Sequence, residues 1–201
     1  MTTKAPKAIG MEVAEKDQML AIAEKDRVLF WKYAVVCVVD LVHQGKVEQA
    51  KFDSMMQQVS GGKIPAEDVN EMFSTAIPEC TNIARLMKKR SIDDEVIRTY
   101  FLLLHTPVVD RGCDLLLRHA KDTESLAYYA DLRVACKVYT GKVLSADGNS
   151  ALVRTVLGDL PYSADFYEVH EGDDVAVHFK HVVDVLPKEW VKKVREASLK
   201  S

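Results

Sequence analysis

The chain has 201 residues, 48% of them hydrophobic and 28% charged, with a formal net charge of -3. That length holds one large domain or two small ones with a buried core. The charge is too small to imply, by itself, a nucleic-acid or anionic-membrane partner. The longest apolar stretch, 33–39, stops at Asp40, far short of the roughly 20 residues a spanning helix needs. The charged start of the chain has no apolar run behind it. Neither a membrane segment nor a signal peptide is expected, and a cytoplasmic protein is the default.

Residues 2–9 read as a frayed tail, and from Met11 the pattern turns helical. Met19, Ile22, Ala23, Val28, Leu29 and Trp31 recur near a three-to-four spacing. Residues 30–42 are apolar nearly all round, and their continuity with the preceding helix predicts a buried helix. Gly45 suits the left-handed cap that ends it. Further helices are expected over 47–59, from Pro65 through Phe73, from Pro78 through Met87, over 96–104, over 108–119 and from Thr123 through Tyr129. Ser60-Gly61-Gly62-Lys63 lacks the first Gly and the Ser/Thr of a P-loop, so it reads as a helix–helix linker.

The register changes at Asp131-Leu132-Arg133. After it Val134, Cys136 and Val138 alternate with Ala135, Lys137 and Tyr139, a period of two that predicts a strand. Asp147-Gly148-Asn149 marks a hairpin turn, residues 162–167 a further strand, and Glu171-Gly172-Asp173 another turn. Val175, Val177 and Phe179 alternate again, residues 182–186 follow, and Pro187 starts a terminal helix. A sheet this small buries its apolar face by curling into a barrel. The expected fold class is α+β, with a helical N-terminal domain over 11–132. A small OB- or SH3-like antiparallel β-barrel with a C-terminal helix then occupies 134–199.

The four cysteines, Cys37, Cys80, Cys113 and Cys136, show no two- to four-residue spacing, which excludes a zinc knuckle or a CxxC motif. Cys37 and Cys113 read as small packed hydrophobes. His178 and His181, three apart in one expected strand, would point to opposite faces and so make no metal pair by themselves. His105 and His119 fall at expected helix ends, where a histidine commonly meets terminal carbonyls. No nucleophile elbow and no isolated carboxylate pair is present, so no enzyme class is indicated.

Between Val134 and Leu186 four basic residues face eight acidic ones. Such an acidic barrel is a poor platform for nucleic acid, whose affinity comes largely from phosphate neutralisation. The basic run Lys88-Lys89-Arg90 reads either as a solvated helix C-terminus complementing the helix dipole or as a contact for a partner or RNA.

One constellation remains. Cys136-Lys137-Val138-Tyr139-Thr140-Gly141-Lys142-Val143 is followed by the Asp147-Gly148-Asn149 turn. Later comes Gly172-Asp173-Asp174-Val175-Ala176-Val177-His178 and a short C-terminal helix. Over about sixty residues this resembles the HypC/HupF family of hydrogenase-maturation chaperones. The resemblance implies an OB-like barrel that helps deliver an iron centre to the nickel–iron hydrogenase large subunit. It places the family's cysteine at Cys136 and its strand-end histidine at His178, as metal- or partner-binding candidates with iron as the cofactor. The chain departs from the family pattern in that Cys136 is internal, Thr140 replaces a Pro, and Phe179-Lys180-His181 follows His178. The function expected on this likeness is that of a non-enzymatic accessory or chaperone-like protein with a protein partner in metalloenzyme assembly. The alternative is an SH3- or OB-like adaptor that binds a protein or RNA, with Lys88, Lys89 and Arg90 as the contact.

Overall fold

A computed structural model describes residues 19–118 and 123–198. The expected tail over 2–9, the helical start at Met11 and His119 lie outside the described residues, as does the side chain of Cys113.

The apolar run near the N-terminus is not one continuous helix. It divides into α1 (Arg27–Ala34), a 3-10 turn (Val35–Cys37) and α2 (Val38–His43). Four β-branched valines crowd this segment and lower its helix propensity, so the helix tightens there. Next come α3 (Gln49–Ser60), the single turn α4 (Val69–Met72), α5 (Ala76–Leu86) and α6 (Asp94–Arg98). The side chain of Asp93 caps α6, accepting from the Val96 amide at 3.1 Å. A π-helical segment (Thr99–Leu104) leads directly into α7 (His105–Arg118), and α8 (Thr123–Ala135) packs against α7.

The strand expected over 134–138 is not one. Helix α8 continues through Ala135, and the sheet starts at β1 (Tyr139–Asp147). Val134 and Val138 do sit on one side of an alternating pattern, but they are also four apart, a spacing that fits a helix end equally well. The remaining strands are β2 (Ser150–Thr155), β3 (Gly158–Ser163), β4 (Asp174–His178) and β5 (His181–Val185), with α9 (Lys188–Ser198) closing the described chain. The expected strand over 162–167 therefore begins and ends earlier, as β3. The strands close in the order β1-β2-β3-β5-β4. All pairs are antiparallel except β3 with β5, which meet in parallel at Ser163 and His181. The α+β fold with a small five-stranded β-barrel and a C-terminal helix is thus present, the barrel being mixed rather than wholly antiparallel at this one contact.

Alternation along β4 is what joins the barrel to the helices. Val175 and Val177 pack inside the barrel with Val143, Val153 and Val182. Ala176, on the opposite face, belongs to the same core as Phe30, Trp31, Phe73 and Phe101. That core holds rings edge-on to one another at 5.2 to 6.0 Å, an arrangement worth about 0.5–1.5 kcal/mol per pair beyond simple burial. A buried ionic lock reinforces the join. The carboxylate of Asp184, on β5 and 2% exposed, accepts from the Tyr33 hydroxyl at 2.9 Å and from Arg98 Nε at 2.7 Å. No helix of the described residues is long and apolar enough to cross a membrane.

Candidate metal centre

His178 is the last residue of β4, two positions beyond Ala176, so the pleat points it at the helices. There it meets three side chains from three other segments. Cys37 ends the 3-10 turn between α1 and α2, His105 opens α7 after the π-helical segment, and Cys136 lies one residue beyond α8. One ligand atom from each of the four residues lies within 4.8 Å of all the others. The Cys37 sulfur is 3.7 Å from His178 Nε2, and the Cys136 sulfur is 3.9 Å from His105 Nε2. In tetrahedral Cys₂His₂ coordination the nitrogen–sulfur edges are about 3.5 Å, from bond lengths near 2.0 and 2.3 Å. The group is therefore within a few tenths of an ångström of a metal-holding geometry on those two edges, and it can hold a metal ion.

The backbone irregularities are what deliver these side chains. The 3-10 turn changes the helical phase at Cys37, and the π-helical segment does the same just before His105. Two ion pairs, Asp110 with Arg133 at 3.0 Å and with Lys137 at 2.8 Å, pin α7 to the end of α8 and so hold His105 beside Cys136.

Partners outside the four donors orient the rings. His178 Nδ1 is 3.0 Å from the carbonyl oxygen of Tyr33, and His105 Nδ1 is 3.3 Å from the Tyr100 hydroxyl. Both Nε2 atoms converge on the Cys136 carbonyl, at 2.8 Å from His178 and 3.0 Å from His105. These contacts fix both ring planes, and each Nε2 edge also faces a sulfur, that of Cys37 for His178 and that of Cys136 for His105. The two histidines are buried and their rings stand edge-on at 5.4 Å.

The sulfurs divide one proton unequally. The Cys37 thiol donates to the Cys136 sulfur, and this hydrogen bond, joined by those from His105 and His178, holds the Cys136 thiol far below its ordinary value although burial opposes it. Cys37, as the donor and half-enclosed, is pushed well above its own. Two sulfurs beside two imidazoles are the donor set for zinc or for iron.

Of the residues singled out from the sequence, Cys136 and His178 are brought together. Cys37 and His105 were not foreseen as ligands. Their signal was the placing of each within an apolar run, Val35-Val36-Cys37-Val38 and Leu102-Leu103-Leu104-His105, where a polar donor needs a partner. His105 does contact a carbonyl near a helix end, though that of Cys136 and not one of its own helix. His178 and His181 are cross-strand partners on either side of a two-residue turn, not neighbours within one strand. His181 stacks on Phe166 at 5.6 Å and stays out of the group.

The run Lys88-Lys89-Arg90 follows α5. Lys89 is engaged by Asp93 and Glu95, the latter at 2.9 Å, while Lys88 and Arg90 are exposed. Glu95 also pairs with Lys193 at 3.2 Å, which fastens α9 to α6. Ser60 ends α3 and Gly61-Gly62-Lys63 opens the α3–α4 linker, and the Ser60 hydroxyl donates to the Asp165 carbonyl at 2.7 Å. Comparison with protein-family models, with curated proteins and with solved structures finds no match to this chain.

Proposed function

We propose that this chain is a non-enzymatic accessory protein that holds a metal ion through Cys37, His105, Cys136 and His178 and serves the assembly of a metalloenzyme. One observation carries the reading: Cys136 and His178, the residues to which the HypC/HupF likeness assigns metal or partner contact, meet in one group with a second thiol and a second imidazole. Iron is the metal that this likeness suggests, and nickel–iron hydrogenase maturation the setting. Zinc fits the same donors. The decisive experiment purifies the protein anaerobically, measures its metal content, and titrates the stripped protein with Fe(II), Zn(II) and Co(II). Tagged wild-type and Cys136→Ser chains are then compared for capture of a nickel–iron hydrogenase large subunit. One equivalent of metal, with capture lost in the variant, supports the proposal. Failure to take up any of the three metals overturns it, and metal uptake without capture overturns the hydrogenase setting.

A second reading is favoured by a groove of about 650 Å³ beside His178, rimmed by the exposed apolar residues Val134, Leu157 and Leu160. It suits an adaptor that docks an apolar protein segment. The RNA version of that reading would act through Lys88 and Arg90, since Lys89 is engaged by carboxylates. A salt-sensitive RNA shift that disappears when Lys88 and Arg90 are reversed in charge would support it.

A further inference from the structure

The two thiols of the centre have a chemistry that the metal alone does not use. Cys37 and Cys136 are ninety-nine positions apart in the chain, yet their sulfurs lie within 4.8 Å. Each is half-buried and lines the same cleft, of about 260 Å³, together with Asp40, Thr75 and His105. A small oxidant reaching that cleft therefore meets both sulfurs. Each cysteine also sits at an element boundary, Cys37 between the 3-10 turn and α2 and Cys136 between α8 and β1. Closing the pair takes the sulfurs from within 4.8 Å to the 2.05 Å of a disulfide, a movement of under about 3 Å. Cys80, by contrast, is fully buried and lies outside the group.

We propose that Cys37 and Cys136 form a reversible disulfide, so that the centre alternates between a metal-holding dithiol and a metal-free disulfide under an oxidant of the peroxide class. The inference rests on the metal-holding reading above and names its regulation. One thiolate attacks a peroxide oxygen, the O–O bond breaks, and a sulfenic acid and hydroxide result. The second sulfur then attacks the sulfenic sulfur, forming the S–S bond and expelling the hydroxyl, which leaves as water. In total one thiol, one thiolate, one hydrogen peroxide and one proton give one disulfide and two waters. Two electrons pass from sulfur to oxygen. Both sulfur ligands are consumed, and two imidazoles alone cannot retain the ion as four donors do. A thiol reductant reverses the exchange through a mixed disulfide.

The test treats full-length protein, stripped or loaded with Zn(II), with hydrogen peroxide, and follows intact mass, peptide cross-links and zinc released to a chromophoric chelator. The expected result is loss of about two mass units, a Cys37–Cys136 cross-linked peptide, one zinc freed per disulfide, and at least tenfold slower oxidation of the loaded form. Dithiothreitol should restore zinc uptake. The Cys80→Ser/Cys113→Ser double variant keeps the pair and must behave as wild type. The Cys37→Ser variant must instead accumulate a trappable sulfenic acid at Cys136. If Cys37→Ser does not fold, the double variant still decides the matter. Over-oxidised Cys136 without a cross-link, or a cross-link through Cys80 or Cys113, overturns the inference while leaving metal binding intact. A Cys37–Cys136 disulfide in protein that takes up no metal overturns the metal-holding reading, and with it the switch.

Discussion

The side chain of His178 lies between two carbonyl oxygens, Nε2 at 2.8 Å from that of Cys136 and Nδ1 at 3.0 Å from that of Tyr33. These two contacts fix the ring plane, and its Nε2 edge also lies 3.7 Å from the Cys37 sulfur. The backbone thus fixes this ring beside the sulfurs.

From this preset geometry, loss of a ligand should cost far more than loss of a nearby thiol. Cys136→Ser and His178→Ala should each weaken Co(II) and Zn(II) binding by at least about 100-fold, whereas Tyr100→Phe, which removes only the partner of His105 Nδ1, should cost about tenfold. Cys80→Ser should change nothing. Competition titration against a chelator of known affinity measures all four, and equal affinity in Cys136→Ser and wild type would remove the centre.

The unequal proton sharing between the sulfurs gives a pH signature in metal-free, reduced protein. The Cys136 value is depressed on folding, chiefly by the Cys37 hydrogen bond. Its contribution to stability is complete above the ordinary thiol value near 8.5 and is lost as pH falls below it toward the folded value. The Cys37 value is raised. Its contribution is complete below about 8.5 and is lost as pH rises above it. One thiolate absorbance at 240 nm should therefore be present at neutral pH and absent in Cys136→Ser. Two thiols titrating together near the ordinary value would contradict the pairing.

The Asp184 lock predicts its own pattern of losses. Removing the hydroxyl in Tyr33→Phe should cost about 2 kcal/mol, the range for a hydrogen bond to a charged group. Arg98→Met leaves the carboxylate buried without its cation and should cost about 3–5 kcal/mol. Urea unfolding measures both, and a neutral Arg98→Met would show that Asp184 is held by its other partners alone.

Gly141 has a steric reason for being glycine. A Cβ there would lie 2.6 Å from the Arg154 carbonyl oxygen and 2.7 Å from Val153 Cγ1, across the β1–β2 pair. Gly141→Ala should destabilise by about 1–3 kcal/mol. In the opposite direction, the exposed Lys180 holds a left-handed φ of 68 in the turn between β4 and β5. Lys180→Gly should stabilise by about 1 kcal/mol, since glycine adopts that conformation without a Cβ clash. Thermal melts of the two variants should move apart.

The barrel could be read from residues because period-two alternation and glycine turns are local signals, as at Asp147-Gly148-Asn149 and Val175-Ala176-Val177. The junction was misread because α8 ends without a Gly or Pro, so Val134 and Ala135 gave no sign of where the helix stopped. Two of the four grouped residues, Cys136 and His178, were singled out from the sequence. Cys37 and His105 were not, because their approach depends on a 3-10 turn, a π-helical segment and the packing of α7 on α8. None of these leaves a spacing rule in the chain.

His178 occupies the final position of β4, where a two-residue turn leaves no slack before β5. A slip of one residue in the pairing of that strand would turn the imidazole into the barrel and present Val177 to the sulfurs instead. A bound ion would therefore act as a gauge of correct strand pairing, favouring the one alignment of the barrel that completes its coordination and penalising each shifted one by a missing ligand.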